Sequence, residues 1–413
     1  MKKLIAIITL VLLLCSTVAL AHPFTDVSGH WAEEQIKIGY ENKAINGDGD
    51  GKFRPDDTIT RAEFIKMLTA EICGRTGVQI PEEFDDKTHW SAKYYNFARL
   101  YIYGSISETV EGVIPGIMQN AEEFELPISR WEMAFMLDGA AKNVLGLSNS
   151  EKTDAVFTDV EKIEKDFPEI ISLSIKNCNS LSLMTGDEKG KFDPSAKGTR
   201  AEAITVINRF DSLITNVIKT LEEAQQKEQE AYINNIEENM VTYKEIPKGH
   251  PTATILMSDN KRIVIELYPE YAPQTVANFV KLAKDGFYNG LTFHRIVDGF
   301  IAQGGDPNGD GSGGSEKYIL GEFLSNGVNS NTLSHQRGVV SMARSSHPDS
   351  ASSQFFICYG DASFLDGQYA AFGKVTKGMD VVDGFTKVEL MTSPNGEIAT
   401  PKEPIVIKSI TVK

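Results

Sequence analysis

The two halves of the chain space their apolar residues differently, which predicts two kinds of folded unit. In the second half, residues 254–257 and 262–267 are apolar runs on either side of Ser-Asp-Asn-Lys, and they predict two strands joined as a hairpin. Residues 272–285 have apolar positions on one helical face, Pro273 near the start and Gly286 after the end, which predicts a helix. Short strands between glycine turns follow, so a β-barrel or a β-sandwich is expected.

The first half predicts helices separated by a loop. Apolar residues recur at helical spacing over residues 31–40, and residues 47–55 break the pattern. Thr60 with Glu63 three residues later predicts a capping box at the start of a second helix, so both residues are interpreted as structural. Arg61, in the first turn, opposes the helix dipole, and we expect another group to hold it.

This helix–loop–helix pattern is repeated. Residues 185–202 align without a gap on residues 46–63, sharing a glycine, Gly-Lys-Phe, a proline and Thr-Arg-Ala-Glu. Phe-Thr-Asp-Val precedes both copies, at residues 24–27 and 157–160. A degraded middle copy has Phe84-Asp-Asp86, His89-Trp90 and Ile128-Ser-Arg-Trp-Glu132. Arg61, Arg130 and Arg200 stand 69 and 70 residues apart, so we predict three copies of one unit.

A segment without glycine or proline, residues 211–241, follows the repeats. Its apolar stripe fades after Ala224, and residues 247–251 (Pro-Lys-Gly-His-Pro) end it. The pattern predicts a helix that packs on the repeats at its start and is solvated later. Its simplest role is that of a spacer.

Composition narrows the class of protein. The chain has 413 residues, of which 41% are hydrophobic, which is enough for two or three folded units. Its net charge of −16 argues against nucleic acid as a partner, because phosphate binding relies on clustered Lys and Arg.

The first residues predict export. Two lysines, an apolar run over residues 4–14 and Ala19-Leu-Ala21 are typical of a signal peptide cleaved after Ala21, with no transmembrane segment left in the mature protein. Cys15 raises the alternative of a lipoprotein, which the bulky Leu14 before it disfavours. The other cysteines are three in number and widely spaced, so we interpret them as buried residues rather than a disulfide framework: Cys73, Cys178 and Cys358.

The loop of the first repeat, residues 46–57, resembles a calcium loop in spacing. Oxygen side chains stand at its first, third, fifth and twelfth places and a glycine at its sixth. The third repeat keeps Gly-Lys-Phe-x-Pro but has Lys189 and Ala196 at two of the oxygen places. We therefore favour a turn over a calcium site, and calcium remains the alternative for the first repeat alone. No metal or cofactor is expected elsewhere, because the chain has no HExxH, CxxC or P-loop sequence.

The repeats resemble S-layer homology domains over about residues 24–210. The residues that support the resemblance are Phe24-Thr-Asp-Val27, His30-Trp31, Phe53-Arg-Pro55 and Thr60-Arg-Ala-Glu63, with their copies. It implies an all-α, pseudo-threefold assembly whose grooves bind an anionic secondary cell-wall polysaccharide on Gram-positive-type bacteria. The implied polymer-binding residues are Arg61, Arg200, Arg130, Trp31, Asp26 and Gly47, and for Trp31 a plain core role is the alternative.

The last part of the chain, from residue 252 to the end, resembles the cyclophilin family of peptidyl-prolyl cis-trans isomerases. Four motifs support the resemblance: Phe293-His-Arg-Ile-Val-Asp-Gly-Phe-Ile-Ala-Gln-Gly-Gly-Asp306, Gly338-Val-Val-Ser-Met-Ala-Arg344, Ser350-Ala-Ser-Ser-Gln-Phe-Phe-Ile357 and Phe364-Leu-Asp-Gly-Gln-Tyr369. The implied fold is a closed antiparallel eight-stranded β-barrel with two helices.

The resemblance also implies site residues. Arg295 would be the cation near the prolyl nitrogen, and the other implied catalytic residues are Phe300, Gln303 and Phe356. The implied substrate-binding residues are Ile301, Ala343, Arg344, Gln354, Phe364, Leu365 and Tyr369. Phe364, Tyr369 and Ile301 stand where well-known members have Trp, His and Met. All three remain bulky and apolar or aromatic, so isomerase activity should persist. Tight cyclosporin binding is in doubt, because the missing indole N–H is a hydrogen-bond donor that the drug would use. His294 and His335 are interpreted as structural.

These observations predict a multidomain, wall-anchored isomerase that acts on Pro-containing segments of exported proteins. The alternative is a non-catalytic wall protein that uses the barrel to capture such segments. The expected division is a signal peptide (1–21), three repeats (22–82, 83–150 and 151–211), a charged helical linker (212–250) and the isomerase domain (251–413).

Overall fold

The computed structural model describes residues 23–47, 49–85, 87, 89–103, 121–147, 157–393 and 396–413. The expected signal peptide, with Cys15, and also Asp48 and Asp86 lie outside these residues. The chain divides into two compact units, Met1–Ala224 and Gln225–Lys413, so the boundary falls inside the expected linker. Within the described ranges, none of the helices has both the length and the apolar character needed to cross a membrane.

The first unit is helical. Its helices are α1 (Glu33–Glu41), α2 (Arg61–Thr76), α3 (Ala92–Phe97, continued by a π-helical turn, Ala98–Ile102), α4 (Ala121–Phe124), α5 (Arg130–Asn143), α6 (Val160–Asp166), α7 (Glu169–Ser180) and α8 (Arg200–Glu238). Helix α8 passes the unit boundary, so the last helix of the third repeat and most of the expected linker form one continuous helix.

Local sequence explains where the repeat helices begin. In α2 the Thr60 hydroxyl accepts the Glu63 N–H (3.2 Å) and the Glu63 carboxylate accepts the Thr60 N–H (2.9 Å), which is the predicted capping box. Ser129 before α5 and Thr199 before α8 make the same arrangement with Glu132 and Glu202. Each cap fixes the first turn of a helix that starts with the arginine of the repeat.

The segments that lead into these helices are joined in a closed ring of backbone hydrogen bonds. The Ile59 N–H donates to Gly198 O (3.0 Å), the Ile128 N–H to Ile59 O (3.0 Å), and the Gly198 N–H to Ile128 O (2.9 Å). Because the bonds return to their starting point, each segment contacts both of the others. The ring satisfies buried backbone groups that no helix or sheet would satisfy.

An aspartate fixes each Gly-Lys-Phe loop. The Asp26 carboxylate accepts the N–H groups of Phe53 (2.9 Å) and Arg54 (2.8 Å), and Asp159 does the same for Phe192 and the residue after it. Burial opposes ionisation of Asp26, but these hydrogen bonds outweigh it and lower the pKa of that carboxyl. The aspartates of the Phe-Thr-Asp-Val motif therefore fix the loops by accepting hydrogen bonds from their backbone N–H groups.

The second unit is built on a β-barrel. Its strands are β1 (Thr252–Met257), β2 (Arg262–Leu267), β3 (Thr292–Val297), β4 (Ile301–Asp306), β5 (Val339–Met342), β6 (Phe355–Cys358), β7 (Ala371–Lys377), β8 (Leu390–Thr392), β9 (Ile398–Pro401) and β10 (Ile405–Val412). Eight of them close in the order β1-β10-β3-β4-β6-β5-β7-β2, and every neighbouring pair is antiparallel. The expected closed eight-stranded barrel is confirmed, whereas the separate β8–β9 hairpin was not predicted.

Two helices accompany the barrel, α9 (Pro273–Lys284) and α10 (Met379–Gly384). The apolar face of α9, with Val276 and Phe279, packs into the barrel core. A second, smaller apolar cluster lies apart from that core and contains Ile301 and Phe356.

The segment before β1 belongs to the second unit as well. Val241 and Tyr243 pack against the barrel core, and the Tyr243 hydroxyl donates to Asn278 Oδ1 on α9 (2.9 Å). The Tyr243 N–H donates to Gln274 Oε1 (2.6 Å). Part of the segment expected to be a solvated spacer is therefore packed on the barrel.

Candidate functional site

Three adjacent strands bring three of the four expected catalytic residues into one row, while Phe300 lies in the connection between β3 and β4. Arg295 on β3 faces Gln303 on β4, and Gln303 faces Phe356 on β6. Neighbouring strands lie about 4.8 Å apart. The row therefore places a cation, an amide and an aromatic ring within about 10 Å across one face of the sheet.

Beside this row lies the small apolar cluster, which we call the apolar pocket. Four of its members are buried: Ile301, Phe356, Cys358 and Ala362. The partly buried side chains packed against them are Phe300, Ala343, Leu365 and Tyr369. Phe364 is 64% exposed and stacks on Phe300 with ring centroids 5.5 Å apart. The pocket thus contains the implied apolar substrate-binding residues except Phe364, which stacks on its member Phe300.

His335 packs against Phe356, one of the buried members of the apolar pocket. It is fully buried, its ring stacks on Phe356 at 6.0 Å, and its Nδ1 and Nε2 atoms lie 2.7 Å from Asp366 Oδ1 and 2.9 Å from Ser341 Oγ. Burial lowers the pKa of His335, although Asp366 acts in the opposite direction. A neutral, doubly hydrogen-bonded histidine fits the structural role expected for it.

The polar side of the row is a chain of hydrogen bonds. Arg295 Nη1 donates to Gln303 Oε1 at a long 3.5 Å, and Gln303 Nε2 donates to Gln354 Oε1 at 2.8 Å. Gln354 Nε2 donates in turn to Gly311 O (3.0 Å) and Gly313 O (2.7 Å). Both glutamines are therefore held with defined orientations at the edge of the apolar pocket.

Residues 304–314 form a tight turn around Asp306. Its carboxylate accepts the N–H groups of Asn308 (2.9 Å), Asp310 (3.2 Å) and Gly311 (2.6 Å). A Cβ on Gly313 would lie 2.2 Å from Asp306 Oδ1, so only glycine fits there. Asp306 is thus a residue that orders the turn.

Arg344 lies at the other side of the pocket. Its guanidinium carbon is 4.7 Å from the centre of the Tyr369 ring, and its Nε donates to Gln368 O (3.0 Å). The Ala343 N–H donates to Gln354 O (2.9 Å) and extends the β5–β6 pairing. This geometry fits a groove wall made of backbone and of a side chain fixed by stacking.

In the first unit, the arginine that begins each of α2, α5 and α8 contacts the glutamate in the first turn of another of these three helices. The shortest contacts are Arg61–Glu132 (2.6 Å), Arg130–Glu202 (2.5 Å) and Arg200–Glu63 (3.7 Å). These pairs form a second closed ring outside the backbone ring. They provide the partner that Arg61 was expected to need.

Two open cavities lie beside two of these arginines. The first, of about 470 Å³, is lined by Gly47, Phe53, Lys66, Trp90 and Arg200, among others. Arg200 Nε donates to Phe53 O (2.8 Å), and the guanidinium carbon lies 5.0 Å from the centre of the Phe53 ring. A Cβ on Gly47, whose φ is +67°, would lie 2.3 Å from Phe24 Cε1, so the loop requires glycine there.

The second cavity, of about 670 Å³, has an equivalent wall around Arg130. Arg130 Nε donates to Phe192 O (2.8 Å), with the guanidinium carbon 4.9 Å from the centre of the Phe192 ring. Trp31 and Lys191 also line the cavity. Since Trp31 is 64% exposed, it is not a core residue, and the alternative left open by the sequence is removed.

Comparison with known proteins identifies both units. The family described as cyclophilin type peptidyl-prolyl cis-trans isomerase/CLD matches residues 252–412. A peptidyl-prolyl cis-trans isomerase of Helicobacter pylori (strain J99) is 46% identical over 145 residues, which are 34% of this chain and 86% of the relative. Peptidyl-prolyl cis-trans isomerase B of Bacillus subtilis (strain 168) is 44% identical over 140 residues, which are 34% of this chain and 94% of the relative. The chain belongs to the cyclophilin-type peptidyl-prolyl cis-trans isomerases.

The S-layer homology domain family matches this cyclophilin twice, at residues 23–65 and 156–204. These are the first and third of the expected repeats. The intervening stretch, which includes Arg130 and Trp90, is not covered by either match. The protein is therefore a cyclophilin with S-layer homology domains, which indicate association with the cell surface.

Other implied polymer-binding residues of this cyclophilin lie elsewhere. Arg61 and Asp26 are absent from the described linings of both cavities: Arg61 is held by Glu132, and the Asp26 carboxylate is occupied by the loop backbone. Trp90, in contrast, lines the first cavity but was not among the expected binding residues. The repeated His-Trp dipeptide was the signal that could have identified it.

A further residue at the isomerase site was missed altogether. Glu397, at the end of the β8–β9 hairpin, accepts hydrogen bonds from Arg295 Nε (2.6 Å) and Nη2 (2.8 Å). These bonds lower the pKa of Glu397 against the opposing effect of burial. No sequence motif contains this glutamate.

Proposed function

We propose that this protein is exported and anchored to the cell wall, where it accelerates X-Pro isomerisation in secreted proteins. The observation that supports this most directly is the row of Arg295, Gln303 and Phe356 beside the apolar pocket, on a chain that also has S-layer homology domains. Export is supported by the basic and apolar start of the sequence.

The reaction needs electrostatic stabilisation rather than a nucleophile. Amide resonance imposes a barrier of about 18–20 kcal/mol on rotation about the peptide bond. As the bond twists, the prolyl nitrogen regains its lone pair and becomes a hydrogen-bond acceptor. Arg295 donates to that nitrogen in the twisted state, while the apolar pocket holds the proline ring.

The remaining site residues bind and orient the substrate. Phe300, Ile301 and Leu365 surround the proline ring together with Phe356. Gln303 and Gln354 hydrogen-bond the peptide backbone. Their amides are already fixed by each other, so they lose little conformational freedom when the substrate binds. Ala343, Arg344, Phe364 and Tyr369 line the groove on either side.

An isomerisation assay on a Pro-containing peptide with the whole chain tests the catalytic role. We expect Arg295→Ala to lower kcat/KM by about a hundredfold or more, as for loss of a preorganised donor. The matched control is Arg337→Ala, since Arg337 is also held by a carboxylate, Asp383, but lies outside the row and the pocket. Near-normal activity of Arg295→Ala contradicts the assignment. A wild-type chain that binds the peptide without accelerating its isomerisation supports the alternative, a capture protein.

We infer that the middle stretch is a third, divergent repeat and that the three form a pseudo-threefold anchor. Its Ser129–Glu132 cap, its place in the backbone ring and its Arg130–Glu202 pair support this, because each has an equivalent in the matched repeats. A ring of three needs a third member, and residues 121–147 occupy that position.

The anchor binds an anionic secondary cell-wall polysaccharide of a Gram-positive-type bacterium. The chain has a net charge of −16, so attraction to an anionic polymer depends on a few local cations. The lining of each described cavity includes a cationic pair and an exposed tryptophan: Arg200, Lys66 and Trp90 in one, Arg130, Lys191 and Trp31 in the other. The second cavity is also lined by Arg209, Lys197 and five carboxylates, so its arginines must bind the polymer through specific contacts rather than through net charge. Guanidinium groups bind acidic groups in a bidentate manner, and indole faces pack on sugar rings.

Retention on purified wall polysaccharide tests the anchor. We expect Arg200→Ala and Arg130→Ala each to weaken binding about tenfold, the loss of one hydrogen bond to a charged group. Arg75→Ala is the control, because Arg75 pairs with Asp211 (2.9 Å) and lines neither cavity. Unchanged retention of both cavity variants contradicts the proposal, and the role of Arg61 in binding stays a prediction for the same assay.

A further inference from the structure

The β8–β9 hairpin brings a carboxylate to the expected catalytic cation. Glu397 lies next to β9 and is separated from Arg295 by 102 residues. Its Oε2 accepts from Arg295 Nε at 2.6 Å and its Oε1 from Nη2 at 2.8 Å. The contact is therefore bidentate, the geometry in which a guanidinium is held most firmly.

This contact differs from an ordinary surface ion pair on the same hairpin. The side chains of Arg295 and Glu397 are 30% and 35% exposed. The side chains of Lys402 and Glu389, at the base of the hairpin, are 57% and 72% exposed and meet through one contact of 3.0 Å. Exposed single contacts of that kind contribute little, whereas a half-buried, two-point contact restricts the side chain strongly.

The carboxylate contacts two of the three guanidinium nitrogens and leaves Nη1 to the row of Arg295, Gln303 and Phe356. Glu397 occupies Nε and Nη2, while Nη1 points to Gln303 in the row that leads to the apolar pocket. The Nη1 group is thus the guanidinium nitrogen that contacts the row, and its hydrogen bond to Gln303 is long, at 3.5 Å. The other two nitrogens are occupied on the hairpin side.

We propose that Glu397 is a positioning residue for the isomerase reaction: it clamps Arg295 so that Nη1 is directed at the substrate. The proposal rests on the catalytic role proposed for Arg295. An arginine without such a clamp samples many rotamers, and the freedom that it loses in the twisted state adds to the barrier. Glu397 removes that freedom before the substrate binds.

The test measures kcat and KM separately for the whole chain and its variants. Glu397→Gln keeps the shape of the side chain but weakens the clamp, and we expect it to lower kcat by about three- to tenfold with little change in KM, since part of the rotamer freedom of an arginine is released. Glu389→Gln, on the same hairpin, should leave both constants unchanged. In an Arg295→Ala background, Glu397→Gln should have no further effect, because no guanidinium remains to be positioned.

The outcomes separate this proposal from the proposed function. If Arg295→Ala has normal activity, the catalytic assignment of Arg295 fails, and the positioning role fails with it. If Arg295→Ala is inactive but Glu397→Gln has an unchanged or raised kcat, the positioning role alone is overturned. Equal losses from Glu397→Gln with and without Arg295 also overturn it, because the glutamate would then act through the hairpin.

A second readout does not depend on turnover. In NMR spectra of the arginine side chains, the Nε–H of Arg295 should exchange slowly with solvent in the wild type and faster in Glu397→Gln. Glu389→Gln should leave that signal unchanged. A rapidly exchanging Nε–H in the wild type contradicts the clamp.

Discussion

The variant Arg61→Ala tests how much the ion pair between Arg61 and Glu132 contributes to the stability of the first unit. Its Nε and Nη2 donate to Glu132 Oε1 (2.7 and 2.6 Å), and its Nη1 donates to Glu123 O (3.3 Å). Glu132 is 3% exposed. Arg61→Ala would therefore leave a buried carboxylate without its counter-charge.

The magnitude follows from what remains around Glu132. Breaking a buried ion pair by removing one partner costs about 3–5 kcal/mol. The N–H and hydroxyl of Ser129 still donate to Glu132 Oε2 (2.7 and 2.6 Å), so we expect the lower end, about 3 kcal/mol. At roughly 2–4 °C per kcal/mol for a unit of this size, the melting temperature of the first unit should fall by about 6–12 °C.

Arg200→Ala is the matched comparison. Its contact with Glu63 is 3.7 Å long and that side chain is 39% exposed, so with the hydrogen bond to Phe53 O and the stacking on the Phe53 ring the loss should be about 1–2 kcal/mol, smaller than for Arg61→Ala. Differential scanning calorimetry of the whole chain measures both variants. Arg61→Ala combined with Glu132→Gln should recover part of the lost stability, because the unpaired charge is gone. Equal shifts for Arg61→Ala and Arg200→Ala, or no recovery in the double variant, would refute the reasoning.

Two further predictions concern one residue in each unit. Burial, and then the neighbouring Asp211, raises the pKa of Glu71 from 4.5 to about 7. The unfolded carboxyl ionises first, so the folded first unit loses stability as pH rises from about 4.5 to 7. Glu71→Gln should therefore become more stable relative to wild type across that window, and a constant difference in melting temperature would contradict this. Tyr243→Phe removes the hydrogen bond to Asn278 and should lower the free energy of unfolding of the second unit by about 1 kcal/mol in urea denaturation, whereas an unchanged midpoint would contradict packing of this segment on the barrel.

Local pattern and motif predicted much of the second unit. The strands expected at 254–257 and 262–267 and the helix expected at 272–285 lie within two residues of the observed bounds. Periodicity alone left barrel and sandwich open, because alternating strands bury one face in either architecture. The resemblance to cyclophilins selected the barrel, and it also named Arg295 and Phe356, which the sheet register places in one row.

Long-range contacts were the part that the sequence could not provide. Glu397 is an isolated acidic residue 102 positions from Arg295, and only the unpredicted β8–β9 hairpin brings the two together. Likewise, exposure decides between a core and a binding role for Trp31, and exposure depends on how helices from different repeats meet. Neither the contact between Glu397 and Arg295 nor the exposure of Trp31 produces a periodic pattern in the sequence.

The Thr-Arg-Ala-Glu motif therefore has a role in assembly that precedes any role in binding. An arginine at the first turn of a helix is unfavourable for that helix alone, and in each case a glutamate capping the next repeat helix in the ring offsets it. The same glutamate serves as cap and counter-ion, so the two residues cannot vary independently. The Arg61 and Arg130 side chains are equally buried (14% and 13% exposed), but the partner of Arg61, Glu132, is 3% exposed, and neither Arg61 nor Glu132 lines a described cavity. Arg130 and Arg200 each line an open cavity, where we expect the same side chain also to meet an acidic ligand, so position beside a cavity rather than the local sequence distinguishes the three arginines.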